Sequence, residues 1–206
     1  MPAKMPVKKT PDVAMTSSTG TFPRAVDDFY ATVDAHWLVP ALLLSYPLTG
    51  AIWEPSAGSG HLARELVARG FRVVATELIE RATIKDSPRI TFGRDFFKFT
   101  APPEGVQAIV MNPPYDDSAA HCHHAIRMAS IYGGKVCALM RNEASSASSR
   151  AHLFANSPWF DCKIELLKRP YWVEGPRLAQ PRHNFAWFCW DTAKPRGRAP
   201  TIKWAP

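Results

Sequence analysis

Gln107-Ala-Ile-Val-Met111 runs directly into Asn112-Pro-Pro-Tyr115. The first five residues are mostly apolar, and this composition predicts a buried strand. The two prolines lack a backbone N–H and therefore end the strand at Met111. An asparagine and an aromatic ring consequently follow the carboxyl end of a buried strand, where open α/β sheets bind their ligands. The alternative interpretation is a turn without a function, because Asn-Pro and Pro-Pro are common loop formers.

A glycine-rich loop follows an earlier predicted strand. Ala51-Ile-Trp-Glu54 is the strand, Pro55-Ser-Ala-Gly58-Ser-Gly60 is the loop, and residues 61–69 form an amphipathic helix. This order is typical of nucleotide-binding α/β folds, in which the missing Cβ atoms of Gly58 and Gly60 let a ligand approach the backbone. The loop therefore predicts a nucleotide-type ligand, although a lone Gly-x-Gly is weak evidence.

An acidic residue ends the second predicted strand, Phe71-Arg-Val-Val-Ala-Thr-Glu77. Glu77 lies about 20 residues beyond the glycine loop, where nucleotide-binding folds hold the ribose hydroxyls with a carboxylate. The alternative is a surface glutamate at a strand end. Further strands are predicted at 89–92, 135–140, 160–167 and 184–190, and further helices at 36–45 and 119–130.

The bulk composition favours a single domain with a polyanionic partner. The chain has 206 residues and a net charge of +7. We expect one domain at 21–192, a disordered basic arm at 1–20 and a basic tail at 193–206. The excess charge favours nucleic acid as the partner. No apolar run is long enough for a membrane span.

The cysteines and histidines do not form a metal-binding pattern. The four cysteines are scattered, which is typical of reduced thiols in a cytoplasmic protein. Adjacent helix positions such as His123 and His124 point to different faces, and no two of His121, His123 and His124 are spaced i,i+4. We therefore expect solvated or capping histidines and no metal site.

Asn112-Pro-Pro-Tyr115 resembles the catalytic motif of S-adenosylmethionine-dependent methyltransferases that act on planar amino or amide nitrogens. Glu54–Gly60 resembles their glycine motif, and it precedes the catalytic motif as in gamma-type DNA adenine methyltransferases. The span from about 28 to 191 is similar to the small phage and prophage N6-adenine DNA methyltransferases. This resemblance implies an α/β, Rossmann-like methyltransferase fold. Its sheet would be seven-stranded and mostly parallel with an antiparallel last strand, with helices on both faces.

The resemblance also implies a reaction: transfer of the methyl group of S-adenosylmethionine to N6 of adenine in DNA. An exocyclic NH2 is a poor nucleophile because its lone pair is delocalised into the ring. The Asn112 side-chain oxygen and the carbonyl of Pro113 can accept its hydrogens, Pro114 stiffens the turn, and Tyr115 can stack on the base. These four residues are the expected catalytic set. The adenine would have to be flipped out or single-stranded.

The resemblance places the remaining site residues. Asp28-Phe-Tyr-Ala-Thr32 resembles the element that lines the methionine end of the cofactor, and Asp95 with Phe96 resembles the pair that meets its adenine. The expected cofactor-binding residues are Tyr30, Thr32, Glu54, Ser56, Ala57, Gly58, Gly60, Glu77, Leu78, Asp95, Phe96 and Asn112.

The loop at 168–183 joins cations and flat rings, the components of nucleic-acid contact. Alternatively, Tyr171 and Trp172 fold back onto the sheet. The expected substrate-binding residues are Tyr115, Lys168, Arg169, Tyr171, Trp172, Arg177 and Arg182.

Two alternative functions remain open at this stage. The same motif occurs in enzymes that methylate protein glutamine or RNA bases, so it predicts the chemistry better than the polymer. A nucleic-acid-binding module of the same fold without catalysis is the other alternative, because a fold hosts many functions.

Overall fold

The computed structural model describes residues 29–172, 181, 183–194 and 197–206, which form one eight-stranded sheet with helices packed on it. The strands are β1 (Ala51–Glu54), β2 (Val73–Thr76), β3 (Ile90–Thr91), β4 (Val106–Met111), β5 (Lys135–Arg141), β6 (Phe160–Leu166), β7 (Phe185–Asp191) and β8 (Thr201–Ala205). The helices are α1 (Ala35–Ser45), α2 (His61–Ala68) and α3 (Ser118–Ser130), and short 3-10 helices lie at Phe96–Lys98, Asn142–Ser146 and Ser148–Arg150.

The strand order is β3-β2-β1-β4-β5-β7-β6-β8. Strands β1 to β5 pair in parallel, and β7 is antiparallel to both of its neighbours. The chain direction across the sheet reverses between β1 and β4, so a crevice opens at the carboxyl ends of these two strands. The predicted α/β fold with a mostly parallel sheet is confirmed, and its crevice lies where the glycine loop and Asn112 begin.

The sheet has eight strands rather than the seven that we predicted. Strand β8 forms within the stretch interpreted as a basic tail, and it pairs in parallel with β6. Only Ala205 of its five residues is buried. An edge strand with exposed side chains on both faces lacks the apolar pattern that identifies buried strands, and the sequence therefore did not reveal it.

Helices cover both faces of the sheet, as predicted. Successive residues of each strand point to opposite faces, so Ile52 packs with α1 and α2 whereas Trp53 packs with α3. Both side chains are fully buried. All four cysteines are buried free thiols within these layers. No helix among the described residues is long and apolar enough to cross a membrane.

Trp187 of β7 connects the sheet to α1. Its ring is fully buried, and its indole Nε1 donates a hydrogen bond to the Leu38 carbonyl at 3.0 Å. Because α1 directly follows the segment that reaches Asn112, this contact helps to fix the position of that segment.

Trp187→Phe is expected to lower the free energy of unfolding by about 1–3 kcal/mol, because it removes a buried hydrogen bond and leaves a cavity. Urea denaturation measures the change. Trp204→Phe is the matched control, since Trp204 is 65% exposed and its substitution should leave the midpoint unchanged. Equal midpoints for the two variants would show that the indole of Trp187 contributes little.

Candidate functional site

A cavity of about 590 Å³ opens at the carboxyl ends of β1, β2 and β4. This volume is in the usual range for small-molecule and cofactor sites, roughly 300–1,000 Å³. Of the residues expected to bind a cofactor or to catalyse, the lining contains Tyr30, Thr32, Glu54, Ser56, Ala57, Gly58, Glu77, Leu78, Asp95, Phe96, Asn112, Pro113, Pro114 and Tyr115. Gly60 is the exception. Its φ is +93°, and an added Cβ would collide with Ser87, so this glycine serves the turn into α2 rather than the cavity wall.

The carboxylate of Glu77 is fixed between the glycine loop and the end of β2. Its Oε2 accepts a hydrogen bond from the Gly58 N–H at 2.8 Å. Its Oε1 accepts from the N–H groups of Leu78 at 2.8 Å and Ile79 at 3.1 Å. A carboxylate has about four lone-pair sites, so capacity remains for a ligand hydroxyl. Glu77 therefore holds the loop in shape and still presents an acceptor to the cavity.

Gly58 leaves room for an aromatic ring above the loop. Its φ is +54°, and an added Cβ would lie 2.6 Å from the Phe29 ring. The same ring carries the Arg81 guanidinium 4.1 Å from its centroid. The loop, Phe29 and Arg81 thus form one wall, which would open if residue 58 had a side chain.

Glu54 is a buried carboxyl at the end of β1, with 2% of its surface exposed. Burial raises its pKa well above the ordinary value; the backbone N–H of Ala63 opposes this shift, and the nearby Glu77 adds to it. Its Oε2 has no hydrogen-bond partner among the described residues. Buried polar atoms normally have a partner, so a cationic or hydrogen-bond-donating ligand in the cavity would satisfy this oxygen.

Asn112 has a side-chain amide with a defined orientation. Its Nδ2 donates to the Thr32 hydroxyl oxygen at 3.1 Å and to the Tyr30 carbonyl at 3.4 Å. Both amide hydrogens are thereby used. The Oδ1 atom is buried and has no partner in the part of the chain that the structure describes. The cavity therefore contains an oriented acceptor at the end of β4.

Tyr115 lies in an aromatic cluster. Its ring stacks on Tyr30 with centroids 4.7 Å apart, and Trp172 and Phe185 lie 6.2 Å and 5.9 Å away. The guanidinium of Arg141 lies 5.4 Å from its centroid. These neighbours restrict the ring to one orientation next to Asn112.

The loop residues expected to contact the substrate are only partly described. Trp172 packs on Phe185 of β7 with ring centroids 4.7 Å apart, so its ring folds back onto the sheet, and the backbone N–H of Tyr171 donates to the Asp34 carboxylate at 3.0 Å. Lys168 is exposed. The Arg169 guanidinium is bonded to the Asn184 side chain at 2.7 Å. Arg177 and Arg182 lie outside the described residues.

Phe96 and Phe97 both line the cavity, and Phe97 has the more exposed side chain. Phe96 is 4% exposed and packs edge-on against Trp53, whereas Phe97 is 44% exposed. The two residues start a 3-10 helix, which turns neighbouring side chains apart by about 120°. Asp95 caps this turn by accepting from the Phe97 N–H at 3.0 Å. The sequence predicted that Phe96 meets the adenine, and so short a helix has no periodic pattern that would have indicated the exposed ring of Phe97.

Two histidines of α3 are buried against this pair, so the expectation that they are solvated is wrong. His121 lines the cavity, and its ring lies 4.6 Å from that of Phe97. His124 lies 4.7 Å from Phe96. Burial lowers the pKa of both imidazoles. Their i,i+3 spacing puts them on one helix face, which is the signal that could have identified them. Among the described residues, no group of His, Cys, Asp or Glu could hold a metal ion.

In sequence, no protein-family model and no curated protein matches the chain. Solved structures do match it in fold. The methyltransferase subunit of a type I restriction-modification system from Streptococcus thermophilus has a TM-score of 0.52 at 14% identity, over 84% of this chain and 46% of that one. The M protein of the type I restriction enzyme EcoKI has a TM-score of 0.54 at 10% identity, over 82% and 47%. A SAM-dependent methyltransferase from Thermotoga maritima has a TM-score of 0.50 at 14% identity, over 77% and 91%.

The chain thus has the Rossmann-like methyltransferase fold. It spans about half the length of the two restriction-modification proteins, 46% and 47%. At these identities the likeness concerns the arrangement of strands and helices, and the chemistry has to be argued from the cavity itself.

The free energy of unfolding is expected to fall as the pH drops below about 6.5. His121 and His124 have folded-state pKa values below the ordinary value of 6.5, so the unfolded chain binds more protons in this range. The stability due to the neutral imidazoles is therefore complete above pH 6.5 and is lost on acidification. Urea denaturation from pH 8 to pH 5 measures it. His121→Gln combined with His124→Gln should flatten the profile, whereas His123→Gln, at an exposed position, should not. Parallel profiles for all variants would contradict the assignment.

Proposed function

We propose that this protein transfers the methyl group of S-adenosylmethionine to the exocyclic N6 of adenine in DNA. One observation carries the proposal. The oriented Asn112 amide, with its open Oδ1 acceptor, shares a single cavity with the glycine loop and Glu77. A nucleotide-type cofactor and an amino group can therefore meet in one place.

The residues of the cavity fit S-adenosylmethionine, which supplies an electrophilic methyl group when it is bound. Its positive charge suits the unpartnered Oε2 of Glu54, because a cation would stabilise the ionised form of this buried carboxyl. Glu77 offers acceptors to the ribose hydroxyls, and Gly58 allows close approach to the loop backbone. Phe97 offers an exposed ring, and Asp95 a carboxylate, to the adenine.

The protein residues prepare the amino group for attack. Asn112 Oδ1 would accept one of its hydrogens and the Pro113 carbonyl the other, which draws the nitrogen lone pair out of conjugation. The packing of Tyr115 on Tyr30 orders the tyrosine ring before the substrate binds, and the extruded base would stack against Tyr115 in the cavity. Pro113 and Pro114 fix the backbone of this turn.

The proposed polymer substrate is DNA. The net charge of +7 and the restriction-modification neighbours support DNA. RNA adenine and protein glutamine are alternatives with the same chemistry at nitrogen, whereas a module without catalysis would have no use for the oriented Asn112 amide. Incubation with labelled cofactor and DNA, RNA or protein, followed by nucleoside and amino-acid analysis, distinguishes them. Label in N6-methyladenine of DNA is the expected result, and label in none of the three would contradict the proposal.

Glu77→Ala is expected to weaken cofactor binding by about 1–3 kcal/mol, the cost of losing charged hydrogen bonds. Titration calorimetry with S-adenosylmethionine measures the change, and circular dichroism checks that the variant is folded. Glu80→Ala is the matched control because it removes the same charge at an exposed position three residues along the chain. Unchanged binding in folded Glu77→Ala would remove this residue from the site.

Asn112→Ala is expected to reduce single-turnover methyl transfer to an adenine oligonucleotide by about 10²–10³-fold, the usual effect of removing one preorganised polar partner. Tyr115→Phe should keep most of the activity. Tyr115→Ala should lose much of it, because base stacking on an aromatic ring is worth about 1–3 kcal/mol. Cofactor binding should persist in each.

Asn156→Ala is the control for Asn112→Ala, since Asn156 is exposed and far along the chain from this strand end. If Asn112→Ala methylates at the parental rate, Asn112–Tyr115 is only a turn, and the proposed chemistry is wrong.

A further inference from the structure

A second, smaller cleft of about 200 Å³ lies beside the main cavity, with Tyr115 in the wall of both. It is lined by Tyr115, Ser118, Met140, Arg141, Glu143, Ala144 and Arg150. Since a water molecule occupies about 30 Å³ of liquid, the cleft has room for a group the size of a phosphate. It contains two guanidinium groups and one carboxylate, so it carries a net positive charge.

Arg150 is held in place without being neutralised. Its Nε donates to the Ala144 carbonyl at 2.7 Å, and a terminal nitrogen lies 3.5 Å from the Glu143 carbonyl. Both acceptors are uncharged, so the positive charge of this guanidinium has no counter-ion in these contacts. An arginine fixed by backbone carbonyls keeps further N–H donors for an anion.

The side chain of Arg141 makes fewer contacts than that of Arg150. Arg141 is exposed, and its guanidinium lies over the Tyr115 ring, 5.4 Å from the centroid. The Arg141 side chain makes no hydrogen bond or ion pair with any other residue that the structure describes. A guanidinium in this condition can turn its planar fork toward an anion while it remains near the ring.

We propose that this cleft binds a phosphodiester of the nucleic-acid strand next to the target nucleotide. The proposal rests on the proposed function, because it assumes that a base stacks on Tyr115. A stacked base and its own backbone phosphate would then be held on two sides of one tyrosine. Arginine is suited to this task because its fork matches phosphate oxygens in a bidentate manner.

The test uses the full chain and single-stranded DNA oligonucleotides with one central adenine, with binding measured by fluorescence anisotropy. Two further oligonucleotides each carry one neutral methylphosphonate linkage, on the 5′ side of the adenine in one and on the 3′ side in the other. Arg141→Gln is the main variant, because Arg141 bonds to no backbone group whose loss would disturb folding. Arg127→Gln is the matched control, since Arg127 is exposed on α3 and does not line the cleft.

Arg141→Gln should weaken binding about tenfold, and one of the two neutral linkages should weaken parental binding to a similar extent. In Arg141→Gln the same linkage should have little further effect, because its partner is already missing. The salt dependence of binding should also become shallower by about one counter-ion. Arg127→Gln should retain the parental response to the linkage.

A merely structural role for Arg141, such as holding Tyr115 in place, predicts a different result. The variant would then lose affinity, but the neutral linkage would still cost as much as it does in the parent, and this outcome would overturn the proposal. Parental binding by Arg141→Gln, or no binding of nucleic acid by the parent, would also overturn it.

RNA oligonucleotides of the same sequence form the second arm of the experiment. Equal dependence of RNA binding on Arg141 supports a phosphate site without regard to the sugar, and dependence with RNA alone assigns the site to an RNA backbone. Methyl transfer is measured separately. If the protein methylates adenine but the effect of the neutral linkage does not depend on Arg141, the proposed function stands and the phosphate site is wrong. If the effect of the linkage depends on Arg141 but no methyl group is transferred, the phosphate site stands and the proposed function is wrong.

Discussion

Two hydrogen bonds orient the side chain on which the site depends. The Asn112 Nδ2 group donates to the Thr32 hydroxyl and the Tyr30 carbonyl, which lie 80 and 82 residues earlier in the chain. If the amide were turned over, its NH2 would point at the substrate amino group and two donors would oppose each other. The segment before α1 therefore orients the Asn112 amide, and the packing of α1 on the sheet helps to hold this segment against β4.

The buried parallel strands were predictable because their side chains are apolar on both faces, and the crevice followed from where the glycine loop and Asn112 leave those strands. The exposed edge strand β8 was not predictable, since its side chains do not alternate between core and solvent. Which of Phe96 and Phe97 is exposed depends on the rotation of a single 3-10 turn. Burial of His121 depends on its packing against Phe96 and Phe97, which lie in a segment distant in sequence, and the sequence pattern indicated only the helix face that it shares with His124.

The main cavity and the neighbouring cleft differ in the sign of their net charge, because carboxyls outnumber Arg81 and Arg94 in the cavity whereas two arginines outnumber Glu143 in the cleft. The carboxyls of Glu54 and Glu77 lie at the strand ends inside the main cavity, although the whole chain carries +7. The guanidinium groups of Arg141 and Arg150 lie in the neighbouring cleft. A cationic cofactor and a polyanionic strand would be attracted to different places by these charges. Such a division keeps two ligands of opposite charge from competing for one surface.

Tyr115 lines both the main cavity and the neighbouring cleft. The methyltransferase fold places a crevice at the strand ends, but the fold alone selects neither a substrate nor a reaction. Selection requires groups that act on particular atoms. Asn112 offers an acceptor to an amino hydrogen on one side of Tyr115, and Arg141 offers a charged donor on the side of the cleft. An amide side chain of a protein would satisfy the first of these groups and leave the second unused, whereas a nucleotide with its phosphate can satisfy both. Under the proposed function, the pairing of an acceptor and a guanidinium around one aromatic ring is therefore the reason to propose nucleic acid rather than protein as the substrate.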